Sequence, residues 1–260
     1  MPRKSVIDIY REIESGYYGS KKNAFDAEHY FFRWYRPVSF FPSAVLIRYG
    51  VSANAVTGFG ALCLLAAFFF LATGRLLPGA LMYLFAYLVD FMDGNIARYT
   101  GHPTHFGKMI DGLVDSLTFL LFIALAFGNI GSGNPMFGAS VELFLGVTTA
   151  FGFLFRSYFY IRLAFVFAKD IGKPLSDGEK VATSRGEIIP GILAGSAKPS
   201  LVRYGKTAYF GMISGMPIFL VLAVLFNVIS IYLAVYFMLF VFATLLEVVF
   251  GLVRVRRKDA

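Results

Sequence analysis

The chain has 260 residues, 57% of them apolar, with 30 Phe, 15 Tyr and a net charge of +8. Soluble domains average about 45–50% apolar residues, so the excess here must face something other than water. The basic residues cluster beside apolar runs, as in segments next to anionic lipid, and this placement excludes a nucleic-acid groove as the reason for the charge.

In chain order, residues 1–50 read as a cytoplasmic, interfacial segment. No short apolar stretch near Met1 ends in a small-residue cleavage site, so no cleaved signal peptide is expected. Residues 25–49 mix aromatic and basic side chains without a long apolar run, which predicts an amphipathic helix lying in the membrane interface. Residues 51–253 read as an all-α transmembrane domain of six spans, over 51–73, 77–98, 107–128, 137–167, 207–227 and 230–252. Several of these windows run about 20 residues with few charges, enough to cross roughly 30 Å of hydrocarbon. Tight or Gly-rich turns at 74–78 and 128–135 separate the first four spans into pairs. Residues 169–206 are rich in Gly and Pro and read as a cytoplasmic loop long enough to cover a site. Residues 254–260 form a basic cytoplasmic tail, so both termini are expected on the cytoplasmic face of the cell membrane. The lone cysteine, Cys63, lies inside the first apolar run and permits no intrachain disulfide.

Between Glu28 and Glu142 the chain has four acidic residues, Asp90, Asp93, Asp111 and Asp115, all aspartates. An aspartate deep in a bilayer costs about 2.5–3.5 kcal/mol on insertion scales, and four together repel one another. Asp90, Asp93, Gly94 and Ala97 fall at i, i+3, i+4 and i+7, one face of a helix. Gly107, Asp111 and Asp115 fall at i, i+4 and i+8 on the next, and the link between them carries Gly101 and Pro103. Carboxylates on two facing helices suit Mg²⁺ or Mn²⁺ with positions open for phosphate oxygens. The small residues would let a nucleotide approach the backbone. Arg98 could neutralise one aspartate but not four. From the residues alone, a metal–phosphate site and a cation path both remain open.

The run Asp90-x2-Asp93-Gly94-x2-Ala97-Arg98-x8-Gly107-x3-Asp111-x3-Asp115 resembles the complete signature of the CDP-alcohol phosphotransferase (phosphatidyltransferase) family. The segment from Val51 to Thr57 is similar to the family's entry into its first span, with Ala53 where proline is usual before Asn54. The resemblance implies that Asp90, Asp93, Asp111 and Asp115 ligate two metal ions, Mg²⁺ or Mn²⁺, with Asp115 also the general base. It implies a CDP pocket lined by Gly94, Ala97 and Gly107, with Arg98 supporting the site or the phosphates and Asn54 and Thr57 contacting the donor. A homodimer in membrane lipid is also implied. The reaction would move a substituted phosphate from a CDP-activated lipid, CDP-diacylglycerol foremost, to a small polar alcohol, releasing CMP. The alternatives are a CDP-linked headgroup donor with a lipid acceptor, and a cation transporter. Arg156, inside the fourth span, is the candidate cation for an anionic acceptor. Arg162, Arg203 and Lys206 suit snorkelling to headgroups or an anionic acceptor. His102 and His105 read as loop residues, since hard cations prefer oxygen. Asp115 is followed by Ser116-Leu117-Thr118-Phe119, faintly similar to the serine-transferring branch of the family. Glu142 and Glu247 receive no role.

Overall fold

The computed structural model describes residues 4–18, 31–101, 105–133, 135–170 and 199–259. They are helical, with no strand among them: α1 (Val6–Tyr18), α2 (Phe32–Arg48), α3 (Ala53–Ala72), α4 (Leu76–Thr100), α5 (His105–Ser116), α6 (Phe119–Gly131), α7 (Ala139–Asp170), α8 (Pro199–Leu225) and α9 (Ile229–Asp259). Five apolar stretches among the described residues are long enough to cross a membrane: Ala53–Ala72, Leu76–Thr100, Met109–Gly131, Ala139–Arg156 and Ile229–Leu246. The place of the sixth expected span is held by α8, whose apolar stretch Gly211–Leu225 is shorter. Only 28–44% of each crossing window is buried inside the protein, so most of its apolar surface is left for lipid. Phe59, Leu62, Phe69, Phe151, Met238 and Phe242 all point outward.

α1 is a separate helix within the expected interfacial segment, ahead of the amphipathic helix expected over 25–49. Ser5 and Asp8 close its first turn reciprocally, Asp8 N–H donating to the Ser5 hydroxyl (3.2 Å) and Ser5 N–H to the Asp8 carboxylate (3.3 Å). Ile9, Ile13 and Tyr17, spaced i, i+4, i+8, are buried against Phe40 and Ala44 of α2. α2 lies where the interfacial helix is expected. Its buried face is Tyr35, Arg36, Ser39, Phe40, Ser43 and Ala44, while Trp34, Val38, Phe41 and Tyr49 face out. The Arg36 guanidinium lies 4.7 Å from the centre of the Phe91 ring on α4 and 5.8 Å from that of Tyr17 on α1, which joins three helices at one buried cation.

α3 and α4 form an antiparallel hairpin. The Ser52 hydroxyl caps α3 by accepting from Ala55 N–H (3.3 Å). Gly74 (φ +77°) turns the chain into α4. A Cβ at Gly79 would stand 2.6 Å from Leu71 Cγ, and one at Gly60 would stand 3.2 Å from Val89 Cγ1. Both pairs keep one register, which places Thr57 opposite Asp93. The missing side chain of Gly128 admits the Leu71 carbonyl oxygen, and that of Gly146 admits Ala126 Cβ and the Phe122 carbonyl, so α6 packs tightly between α3 and α7. The main core lies here, around Phe68, Leu71, Tyr83, Phe122, Leu125, Tyr236 and Phe240.

The expected span over 107–128 is found as one crossing stretch, Met109–Gly131, built from α5 and α6 with a turn between them. Ser116 donates to the Gly112 carbonyl (2.7 Å), and Thr118 N–H bonds the Asp115 carbonyl (3.1 Å), a tighter i→i+3 turn. Hydroxyls that back-bond to the previous turn bend helices, and the bend falls immediately after Asp115. Expected loop residues 199–206 are the first turns of α8, and the tail 254–259 continues α9. Residues 171–198, the rest of the expected loop, lie outside the described residues, as does His102.

Candidate active site

Asp90 and Asp93 lie on the second half of α4, away from the α3–α4 turn, and Asp111 lies on α5. One carboxylate oxygen from each falls within 4.8 Å of the other two. Asp93 is buried and the other two half-buried. At such separations two like charges repel by about 3–4 kcal/mol per pair at an effective dielectric of about 20. A set of three converging carboxylates inside a span therefore calls for a cation.

The donor set fits one. Mg²⁺ holds oxygen ligands at about 2.0–2.1 Å, so opposite ligands stand roughly 4.2 Å apart, a spacing that oxygens lying within 4.8 Å of one another reach by small side-chain shifts. The donors are hard oxygens without sulfur or imidazole, as Mg²⁺ or Mn²⁺ prefer. Asp115, one turn further along α5, is exposed and stands outside the converging three, within electrostatic range of Asp90 and Tyr83.

Thr57 packs against the cluster. Its hydroxyl, buried at 7% exposure, is 2.7 Å from Asp93 Oδ2 and 3.1 Å from the Ala53 carbonyl. As a donor to Asp93 it orients a carboxylate of the cluster. Asn54, three residues earlier on α3, is exposed.

Arg98 folds back along α4, as long helical side chains do. Its Nη1 and Nη2 both stand 3.2 Å from the point a Cβ on Gly94 would occupy. Gly94, the residue after Asp93, thus leaves room for the guanidinium. Ala97 and Gly107 are half-buried on α4 and α5. Arg156 is half-buried on α7 and continues the buried seam Glu142, Leu145, Thr149, Gly152, spaced as a heptad a/d stripe. That places it on the inner face of α7. Arg162, Arg203 and Lys206 fall on α7 and α8, and His105 opens α5.

Two contributors are not evident from the sequence pattern. One is the bracing role of Thr57. The other is Asn95, buried at 4% exposure between Gly94 and Arg98, which bonds to both Arg98 and α2. A polar side chain in a membrane span needs partners, and that is the signal the sequence offers for Asn95.

Comparison with known proteins agrees with this geometry. A phosphatidylinositol phosphate synthase from Mycobacterium marinum is 36% identical over 74 residues, which cover 28% of this chain and 32% of that protein. An uncharacterized protein of Aquifex aeolicus is 29% identical over 149 residues, 56% of this chain and 72% of the relative. The profile of the CDP-alcohol phosphatidyltransferases matches residues 51–253, from the start of α3 through most of α9 and across the whole aspartate cluster. The chain therefore belongs to the CDP-alcohol phosphatidyltransferase family.

Proposed function

We propose that this protein is a divalent-metal-dependent membrane transferase of phospholipid synthesis. It moves a substituted phosphate from a CDP-activated lipid, CDP-diacylglycerol foremost, to the hydroxyl of a small polar alcohol and releases CMP. The convergence of Asp90, Asp93 and Asp111 within 4.8 Å at one end of the α3–α4 hairpin carries this reading.

Asp90, Asp93 and Asp111 would hold the cation, with Asp115 joining them around a second ion. Bound divalent metal neutralises diphosphate charge and polarises the phosphoryl oxygens. The residues of the chain supply the rest. Thr57 keeps one Asp93 oxygen turned toward its hydroxyl, leaving the other for the cluster. Ala97 and Gly107 leave backbone open along the cytidine path, while Gly94 gives room to Arg98. Arg98 offers its planar fork to phosphate oxygens. Asp115, exposed at the bend after α5, reaches solvent-borne alcohol and accepts the proton of the attacking hydroxyl. In-line transfer then depends on positioning and charge more than on covalent help.

Arg156, on the inner face of α7, would receive an anionic acceptor, and the name of the Mycobacterium relative makes inositol phosphate the first to try. Basic residues flanking the spans support an active site and both termini on the cytoplasmic face of the cell membrane. A homodimer is the assembly proposed.

The test is purified protein in Mg²⁺ with CDP-diacylglycerol and, in turn, inositol phosphate, glycerol 3-phosphate, serine and inositol, followed by CMP release and mass spectrometry of the lipid product. One acceptor should give stoichiometric CMP and a new phospholipid, and Asp115→Asn should abolish turnover while CDP binding persists. Metal flux across vesicles without CMP release from any donor would replace the transferase with a transporter.

A further inference from the structure

Asn95 makes three hydrogen bonds from a buried position. Its Nδ2 donates to Ser39 Oγ (2.8 Å) and Ser43 Oγ (3.2 Å) on α2, and its Oδ1 accepts from Arg98 Nη2 (2.8 Å). Both serine protons are already committed along α2, Ser39 to the Arg36 carbonyl (2.7 Å) and Ser43 to the Ser39 carbonyl (2.6 Å). The serine oxygens can therefore only accept, and the amide nitrogen must face them. Its carbonyl is thereby aimed at the guanidinium, an orientation that the network sets chemically.

Arg98 is held in two directions. Its Nη1–Nη2 edge faces the space left by Gly94, both Nη atoms standing 3.2 Å from the Cβ point, and Nη2 is bonded to Asn95. Gly94 directly follows Asp93 in α4, so the guanidinium is held within one residue of the cluster that the donor diphosphate would approach. Immobilising a side chain with Arg98's rotamer freedom costs conformational entropy, and prior ordering removes that cost from ligand binding.

We propose that Asn95 is a positioning residue that presents Arg98 to the phosphate oxygens of the CDP donor, and that α2 belongs to the catalytic unit through Ser39 and Ser43. The inference rests on the transferase reading above. It makes the helix expected to lie in the interface a determinant of donor affinity, without contact between that helix and the donor.

A double-mutant cycle read by CDP affinity tests it, using titration calorimetry on purified full-length protein in Mg²⁺ and detergent, with melting temperature and donor and acceptor KM measured in parallel. Arg98→Ala should weaken CDP by ~10-fold or more, the range of a charge-assisted hydrogen bond. Asn95→Ala should weaken it by about 5- to 10-fold, raising donor KM and leaving acceptor KM unchanged. In the Arg98→Ala background, Asn95→Ala should add less than about twofold, because it acts through the missing guanidinium. Should Asn95→Ala lose the fold, the Ser39→Ala/Ser43→Ala variant carries the same cycle, since it removes the anchor and leaves Asn95 and Arg98 in place. Full additivity, or an Asn95→Ala variant with lowered melting temperature and unchanged CDP affinity, overturns the proposal. Silent Arg98→Ala overturns it too while the reaction stands. Wild-type protein that neither binds CDP nor releases CMP fails the parent reading instead, and the inference falls with it.

Discussion

At Asp93 a buried carboxylate accepts a hydrogen bond from the hydroxyl of Thr57, 2.7 Å away across the hairpin. Groups that orient metal ligands typically change metal affinity by about 10–100-fold when removed. Thr57→Val keeps the volume and loses only the hydrogen bond. It should weaken Mn²⁺ binding by ~10-fold or more in a calorimetric or paramagnetic titration, with the melting temperature little changed. Unchanged Mn²⁺ affinity would leave Thr57 as a helix-packing residue. The family resemblance implies a donor contact for Thr57, and nothing in a linear pattern shows what faces it across a hairpin. The aspartates are legible for the opposite reason: acids at helical spacing in an apolar stretch are too costly to persist there without a cation. Asn95 is not legible, because one amide among apolar residues declares a need for partners without saying which. Gly94 reads in the sequence as nucleotide space, whereas its nearest neighbour is the Arg98 guanidinium.

Among the elements, α1 is the one missing from the sequence expectation, although a capping box and the Ile9–Ile13–Tyr17 spacing mark it. Its short run and modest apolar content hide it beside longer spans. α1 is tied down by Lys4, which bonds both Glu12 oxygens (2.6 and 2.8 Å), by the Tyr99 hydroxyl on α4, which donates to Glu12 (2.9 Å), and by Arg48, which donates to the Lys4 carbonyl (2.9 Å). The Lys4 ammonium, then the Tyr99 hydroxyl, hold the Glu12 carboxyl below its ordinary value of 4.5, and Glu12 raises Lys4 above its own of 10.5. A depressed carboxylate stabilises docking above its unfolded pKa, and that contribution is lost as pH falls through the folded value. The raised ammonium contributes below 10.5 and is lost as pH rises through its folded value. Docking of α1 should therefore be tightest between these limits and loosen in acid. Both groups are exposed, so salt should weaken the tie as well. Hydrogen exchange of α1 amides against pH measures this. Protection that stayed flat from neutral pH to about pH 3.5 would remove Glu12 from the docking contact. The bend between α5 and α6 is the other departure, since hydropathy reads through Ser116–Thr118 without a break.

For the molecule as a whole, five of the six expected spans coincide with apolar stretches, among the described residues, long enough to cross a membrane and the remaining one falls on the shorter Gly211–Leu225, since lipid leaves backbone groups to be satisfied within helices. Hydropathy says less about interior faces. Glu142, given no role from sequence, is fully buried on α7, and neither of its carboxylate oxygens meets a partner among the described residues. An unsatisfied buried polar group costs about 1–3 kcal/mol, so Glu142→Met should raise the melting temperature in detergent while leaving CMP release intact. A stable but inactive variant would instead place Glu142 in the function. The central claim is that the aspartates of α4 and α5 form a metal-dependent centre for CDP-linked transfer. Its most direct measurement is CMP release from CDP-diacylglycerol, with the preferred acceptor present, by wild-type protein and by Asp111→Asn. The assay is run in excess chelator and again after Mg²⁺ or Mn²⁺ is restored. Release should vanish in chelator, return with either ion, and stay at least ~100-fold lower in Asp111→Asn, the range for losing an electrostatic catalytic group. Full release in chelator, or an unimpaired Asp111→Asn enzyme, would contradict it.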